Sequence, residues 1–152
     1  MFSLNCGGKM LLIEKPLVMG VINITDDSFY KESRFPNPAA VLKKATQMIN
    51  EGADILDIGG QSTRPESRRI SQEEELQRVV PVIEMLIKNL PGLLLSIDTY
   101  YAEVAGAAIY AGASIVNDIS AGELDKKMLP TVGSLNVPYI CMHMKGKPET
   151  MH

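Results

Sequence analysis

Five short apolar runs, each closed by a polar residue and separated from the next by a stretch with helical spacing, constrain this chain more than any other feature. The runs occupy residues 17–23, 53–59, 93–98, 113–118 and 137–143, and the polar residues read at their carboxyl ends are Asn23, Asp57, Asp98, Asn117 and His143. They lack strict alternation, which predicts strands buried on both faces, as in parallel sheets. The stretches between them read as helices. One opens at Asn37 or Pro38, places Val41, Leu42, Ala45, Met48 and Ile49 on one face, and closes before Gly52. Ser71 with Glu74 forms a capping box for a second, which carries Leu76, Val79, Val80, Ile83, Leu86 and Ile87 and ends at Pro91-Gly92. Pro81 predicts a kink or break inside it. Residues 101–110 form a third helix closed by Gly112, and residues 123–136 a fourth, interrupted near Pro130 and Gly133.

Strands alternating with helices imply right-handed crossovers and a parallel α/β fold. Two architectures fit: an open doubly wound sheet and a (β/α)8 barrel. Polar residues at the carboxyl ends of all five strands favour the barrel, where those ends converge on one mouth. Five strands do not close an eight-stranded barrel, whose typical length is about 250 residues. Residues 1–152 are therefore expected to form the N-terminal part of a single barrel domain whose C-terminal part is absent. The last residues, Glu149 to His152, carry no terminus signal and read as a fragment's end.

Composition excludes several classes. The chain is 45% apolar and 22% charged with a formal net charge of −3, ordinary for a globular domain. No Lys/Arg block supports a nucleic-acid role. No apolar run reaches the roughly 18 residues of a membrane span, and the first eight residues do not resemble a secretory signal. Two cysteines far apart, Cys6 and Cys141, offer neither a disulfide framework nor a zinc motif, so a reducing cytoplasm is expected. Cys141, in an apolar run, reads as a buried small hydrophobe, and the nine methionines as packing.

Four segments carry a resemblance. They are Met19 to Phe29 (MGVINITDDSF), Gly52 to Pro65 (GADILDIGGQSTRP), the pair Ser96-Ile97-Asp98-Thr99 and Asn117-Asp118-Ile119-Ser120, and Met142 to Pro148 (MHMKGKP). In order and spacing they resemble the signatures of the dihydropteroate synthase family. The resemblance covers nearly the whole chain. It implies a pterin-binding barrel that joins 6-hydroxymethyl-7,8-dihydropterin pyrophosphate to p-aminobenzoate, releasing pyrophosphate, in folate biosynthesis. It also implies sulfonamides as p-aminobenzoate mimics, Mg2+ as cofactor, no nucleic-acid or membrane partner, and a homodimer for the full-length enzyme.

The same resemblance assigns residues. Asp98 and Asn117 grip the polar edge of the pterin, with Ile119 and Met142 as apolar neighbours of its ring. Asn23 serves metal and pyrophosphate, and an amide oxygen is a hard donor suited to Mg2+. Thr63 and Arg64 lie beside p-aminobenzoate and pyrophosphate, with Phe29 and Pro65 as apolar walls. Each has a plainer reading: a helix N-cap for Asp98, loop residues for Asn117 and Asn23, an exposed loop for Ser62 to Pro65, and a satisfied core or pocket histidine for His143. Arg68 and Arg69 read as solvated.

The chain also departs from the pattern. Asp26 stands where the family has proline, Lys31 where it has an acid (with Glu32 beside it), and Gln61 where it has glutamate. The segments that complete the family's site, a later aspartate, a lysine and an Arg/His pair, are absent. The alternatives are a methyltetrahydrofolate–corrinoid methyltransferase type of pterin domain, from which Ser62 to Pro65 discriminate, an inactive pterin-binding fragment, and an open α/β domain of other use.

Overall fold

The computed structural model describes residues 1–25, 37–61 and 69–142. A hairpin comes first, β1 (Phe2–Cys6) and β2 (Lys9–Ile13), antiparallel with Cys6 opposite Lys9. Its turn is Gly7-Gly8, with φ of +62° and +90°, the left-handed pair that a tight two-residue hairpin requires. The sequence reading did not anticipate this hairpin.

Then follow β3 (Met19–Asn23), α1 (Pro38–Asn50), β4 (Ile55–Gly59), α2 (Gln72–Asn89), β5 (Leu94–Asp98), α3 (Ala102–Tyr110), β6 (Ile115–Asp118), α4 (Met128–Leu135) and β7 (Tyr139–Cys141). The five later strands make one parallel sheet in the order β3-β4-β5-β6-β7. A doubly wound sheet reverses its strand order at a switch point and carries helices on both faces. Here the order never reverses, as in a barrel.

The helices share one face. Ile22, Leu56, Ile58, Leu95, Ile97 and Val116 pack in one cluster with Val41, Ala45, Val79, Ile83, Leu86, Val104, Ala108 and Met128 from all four helices. Full burial of each large side chain contributes roughly 1.5–3 kcal/mol, so this layer carries most of the apolar stabilisation. The alternate residues face the other way. At the amino ends of the strands, Ile55 and Ile115 pack with Cys6 of the hairpin, supported by Leu4, Leu11, Met19 and Leu94. The hairpin thus closes the bottom of the concave face and leaves its carboxyl end to polar residues.

Several expectations need correction. Helix α2 runs unbroken through Pro81, because Pro81 is exposed and so is Gln77, whose carbonyl loses its partner and faces water. The fourth helix starts at Met128, not near residue 123. Pro130 falls in its first turn, where a missing N–H costs nothing, and Asn136 ends it in the left-handed region at φ +52°. Cys141 is exposed rather than buried. Burial on both faces fails at the sheet's flanks: Val21 is 51% exposed and Ile140 39%, since β3 and β7 each have a sheet neighbour on one side only among the described residues. No described helix is long and apolar enough to cross a membrane.

Candidate active site

The ladder register places Asn23, Gly59, Asp98 and Asn117 in one row across four strands. Parallel strands in register point opposite residues to the same side, so the three polar side chains share the concave face. Gly59 makes room for the row. A Cβ there would lie 2.6 Å from Asn23 Oδ1 and 3.5 Å from Asp98 Oδ2. Asn23 Oδ1 is buried and has no hydrogen-bond partner, so it is an unused acceptor set over the glycine notch.

Asp98 is half-buried, and its carboxylate accepts no hydrogen bond from the described residues. Burial, and then the charges of Asp57 and Asp118, push its pKa up to about 7. The alternative reading as a helix cap does not hold. Thr99 Oγ1 accepts the Tyr101 N–H at 3.1 Å, and Asp125 Oδ2 accepts the Ala102 N–H at 2.8 Å, so α3 is capped without Asp98. Asn117 is a strand residue rather than a loop residue. Its Nδ2 donates to Asp57 Oδ2 at 2.9 Å.

Asp57 lies one layer below, level with Val21, Ser96 and Ile115. It is 2% exposed, and its second oxygen, Oδ1, has no hydrogen-bond partner. Burial raises its pKa, against the lowering influence of Ser96 and Asn117. The Ser96 hydroxyl is near enough to favour the charged form without meeting hydrogen-bond geometry.

Helix α2 supports the mouth from behind. Glu75 is fully buried, and its Oε2 accepts the Thr99 hydroxyl at 3.1 Å. Burial pushes its pKa up to about 7, and the charge of Asp98 adds to that. One turn on, the buried Arg78 donates to the carbonyls of Ile24 at 3.5 Å and Gly60 at 3.3 Å, and to Glu74 Oε1 at 2.6 Å. It thereby ties together the chain just beyond β3 and β4. A Cβ on Gly60 would meet Glu75 Cγ at 2.7 Å, so that glycine is what lets α2 approach.

Gln61 exploits its departure from the expected glutamate. Its Nε2 donates to the Ile70 carbonyl at 3.4 Å and its Oε1 accepts the Ile70 N–H at 3.3 Å. A glutamate accepts only and would lose the first of these. Arg69 is exposed but not merely solvated: its Nε donates to Tyr100 Oη at 2.6 Å and its guanidinium lies 4.4 Å from that ring's centroid.

Of the residues singled out from sequence, Asn23, Asp98 and Asn117 come together. Ile119 directly follows β6, and Met142 directly follows β7 and is 36% exposed, so both lie at the same end of the sheet. Phe29, Thr63, Arg64, Pro65 and His143, and with them Asp26, Lys31, Glu32 and Arg68, lie outside the described residues. Sequence reasoning missed Glu75, Arg78 and the service role of Asp57. One signal was present for Glu75: it falls on the α2 stripe with Val79, Val82, Ile83 and Leu86, and a carboxylate on an apolar stripe marks a buried partner. No group of three or more His, Cys, Asp or Glu able to hold a metal exists among the described residues.

A non-reversing parallel sheet, helices on one face, and carboxylate and amide acceptors at the carboxyl ends of its strands define a barrel-type α/β protein with a polar ligand site in its mouth. Residues 19–152 match the model of the pterin binding enzyme family, and the chain belongs to that family. It is 47% identical to dihydropteroate synthase of Bacillus subtilis over 136 residues, 90% of this chain and 47% of that protein. Among solved structures it resembles Xanthomonas albilineans dihydropteroate synthase with 4-aminobenzoic acid (TM-score 0.85, 42% identity, 95% of this chain and 53% of that one). It also resembles the Burkholderia cenocepacia dihydropteroate synthase complexed with 7,8-dihydropteroate (TM-score 0.79, 42% identity, 98% and 49%). The chain thus spans about half the length of these relatives.

Proposed function

We propose that this chain supplies the pterin- and pyrophosphate-facing half of a dihydropteroate synthase barrel, completed in the whole protein by the strands needed to reach eight. The reaction displaces pyrophosphate from the methylene carbon of 6-hydroxymethyl-7,8-dihydropterin pyrophosphate. The amine lone pair of p-aminobenzoate forms the new C–N bond, the C–O bond breaks with its electrons leaving on pyrophosphate, and the amine loses a proton. The barrel's part is to hold the two reactants in line.

The observation that carries this reading is the row Asn23, Asp98, Asn117 over the Gly59 notch. An ionised Asp98 offers two acceptor oxygens with no competing donor from the described residues, and a pterin edge offers an amino group and a ring N–H side by side. Asn23 Oδ1, buried and unpartnered, fits a single hard ligand to Mg2+, the remaining ligands coming from phosphate oxygens and water. Such an ion would neutralise the departing pyrophosphate. Ile119 and Met142 are assigned to the pterin ring. Phe29, Thr63, Arg64 and Pro65 are assigned to p-aminobenzoate and pyrophosphate. Sulfonamides would compete there, and the whole protein is read as a homodimer of a reducing compartment, in keeping with two free cysteines.

The test is calorimetric titration of the complete protein with a pterin ligand, with and without Asp98→Asn. Turning one acceptor into a donor opposite a ligand donor costs about 1–3 kcal/mol, roughly ten- to hundredfold in affinity. Because Asp98 is held near 7, wild-type affinity should also fall as pH drops below about 7, with proton release on binding. An Asp98→Asn protein that folds and binds as tightly as wild type overturns the assignment.

A further inference from the structure

We infer that Asp57 is a positioning residue that locks the orientation of the Asn117 amide, so that Asn117 presents its oxygen beside the Asp98 carboxylate and the pair selects a ligand edge made of N–H donors. This deepens the pterin reading above and rests on it. An amide can turn either its oxygen or its nitrogen toward a ligand, and nothing in its shape chooses between them. Here the choice is made from below. Asp57 Oδ2 takes the Asn117 Nδ2 hydrogen at 2.9 Å, and an ionised carboxylate can only accept. The Asn117 oxygen is left as the group Asp57 does not claim.

The neighbours along the row agree. Asn23 Oδ1 is an unpartnered acceptor, and the Asp98 carboxylate is unpartnered among the described residues. Two acceptors side by side in the row, the Asp98 carboxylate and the Asn117 oxygen, suit a flat heterocycle whose edge pairs an amino group with a ring N–H. They reject an isostere in which an amino group is replaced by a carbonyl oxygen. Asp57 also has a buried oxygen, Oδ1, with no partner. A fully buried carboxylate kept half-satisfied is costly, so its retention calls for a use beyond packing, and orienting Asn117 is the one its geometry shows. Its charge acts on Asp98 as well, alongside that of Asp118 on β6, and Asp98 in turn raises Glu75 on α2.

The experiment uses the complete protein and two probes, pterin and its analogue with the 2-amino group replaced by oxygen. Wild type should prefer pterin by at least about tenfold. Asp57→Asn, equal in size, frees the amide pair to reverse, and Asp57→Ala frees Asn117 to turn. Both should weaken pterin binding, narrow its preference over the oxo analogue severalfold, and move the pH midpoint of pterin binding to lower pH, since a charge that raises the Asp98 pKa is gone. The KM for p-aminobenzoate should change little. A variant that folds with preference and pH midpoint both unchanged overturns the inference while leaving the pterin reading intact. Wild type that binds neither probe overturns the pterin reading itself.

Discussion

Asp98 and Asp118 end adjacent strands of one sheet, yet the fold treats them in opposite ways. Asp118 is fully buried and saturated. Its Oδ1 accepts from the Ser120 N–H and hydroxyl at 2.7 and 2.8 Å, and its Oδ2 from the Gly122 N–H and Tyr139 Oη at 2.8 and 2.7 Å. Asp98 is half-buried with no donor from the described residues. Four short hydrogen bonds hold the turn after β6 and tether β7 to it, so the first carboxylate is consumed by structure. The second is held in readiness at a cost to stability. A strand-end carboxylate is therefore not a site in itself. What distinguishes the ligand-facing one is the absence of local donors.

That contrast can be attacked where it is strongest. Asp118→Ala leaves two buried backbone N–H groups and the Tyr139 hydroxyl without an acceptor, at about 1–3 kcal/mol each when unrelieved. With partial relaxation the loss should be about 3–5 kcal/mol, read by denaturant unfolding of the complete protein. A loss below about 1 kcal/mol would erase the distinction between the two aspartates.

Asp98→Asn should act the other way. A group whose folded pKa is raised, here from 3.8 to about 7, favours folding below its unfolded pKa and loses that contribution as pH rises through its folded pKa. Wild type should thus lose stability between about pH 4 and 7. The asparagine variant should be more stable than wild type at pH 8, on the order of 2 kcal/mol, with the gain vanishing near pH 4. The pH dependence that remains in the variant sharpens the picture, because Glu75 titrates over the same window with the same sign. A variant less stable than wild type at pH 8 would mean that Asp98, too, serves the scaffold.

The smallest effect is expected at Asp125, which caps α3 in place of Asp98. Asp125→Ala removes the acceptor of the Ala102 N–H and should lower stability by about 1 kcal/mol without changing pterin affinity in calorimetry. A matching loss of pterin affinity would show that cap and site are coupled through Thr99.

Much of this protein was written in its sequence order. The spacing of apolar residues determined helix and strand, because burial of one face imposes its period on the chain wherever that face lies. Of the polar residues expected at the strand ends, Asn23, Asp98 and Asn117 marked the mouth, whereas Asp57 sits mid-strand in β4, one layer below, where its bond to Asn117 satisfies one of its oxygens. The Ser71 cap, the Gly52 and Gly112 exits and the family motifs are likewise local, and all were legible. What the tertiary structure decided depends on distance across the sheet. Only the ladder register puts Asn23, Gly59, Asp98 and Asn117 in one row, and only close packing shows that Gly59 must be a glycine for that row to exist. Neither the Asp57–Asn117 bond, 60 residues apart in sequence, nor the grip of Arg78 on Ile24 and Gly60, 54 and 18 residues away, leaves a trace in spacing. Pro81 made the same point in reverse. The residue predicts a kink or break, and its exposure on the solvent side of α2 is what lets the helix continue without a break. Whether a buried carboxylate is spent on the scaffold or left for a ligand is decided by which donors the fold brings within 3 Å or so, and no one-dimensional pattern encodes that.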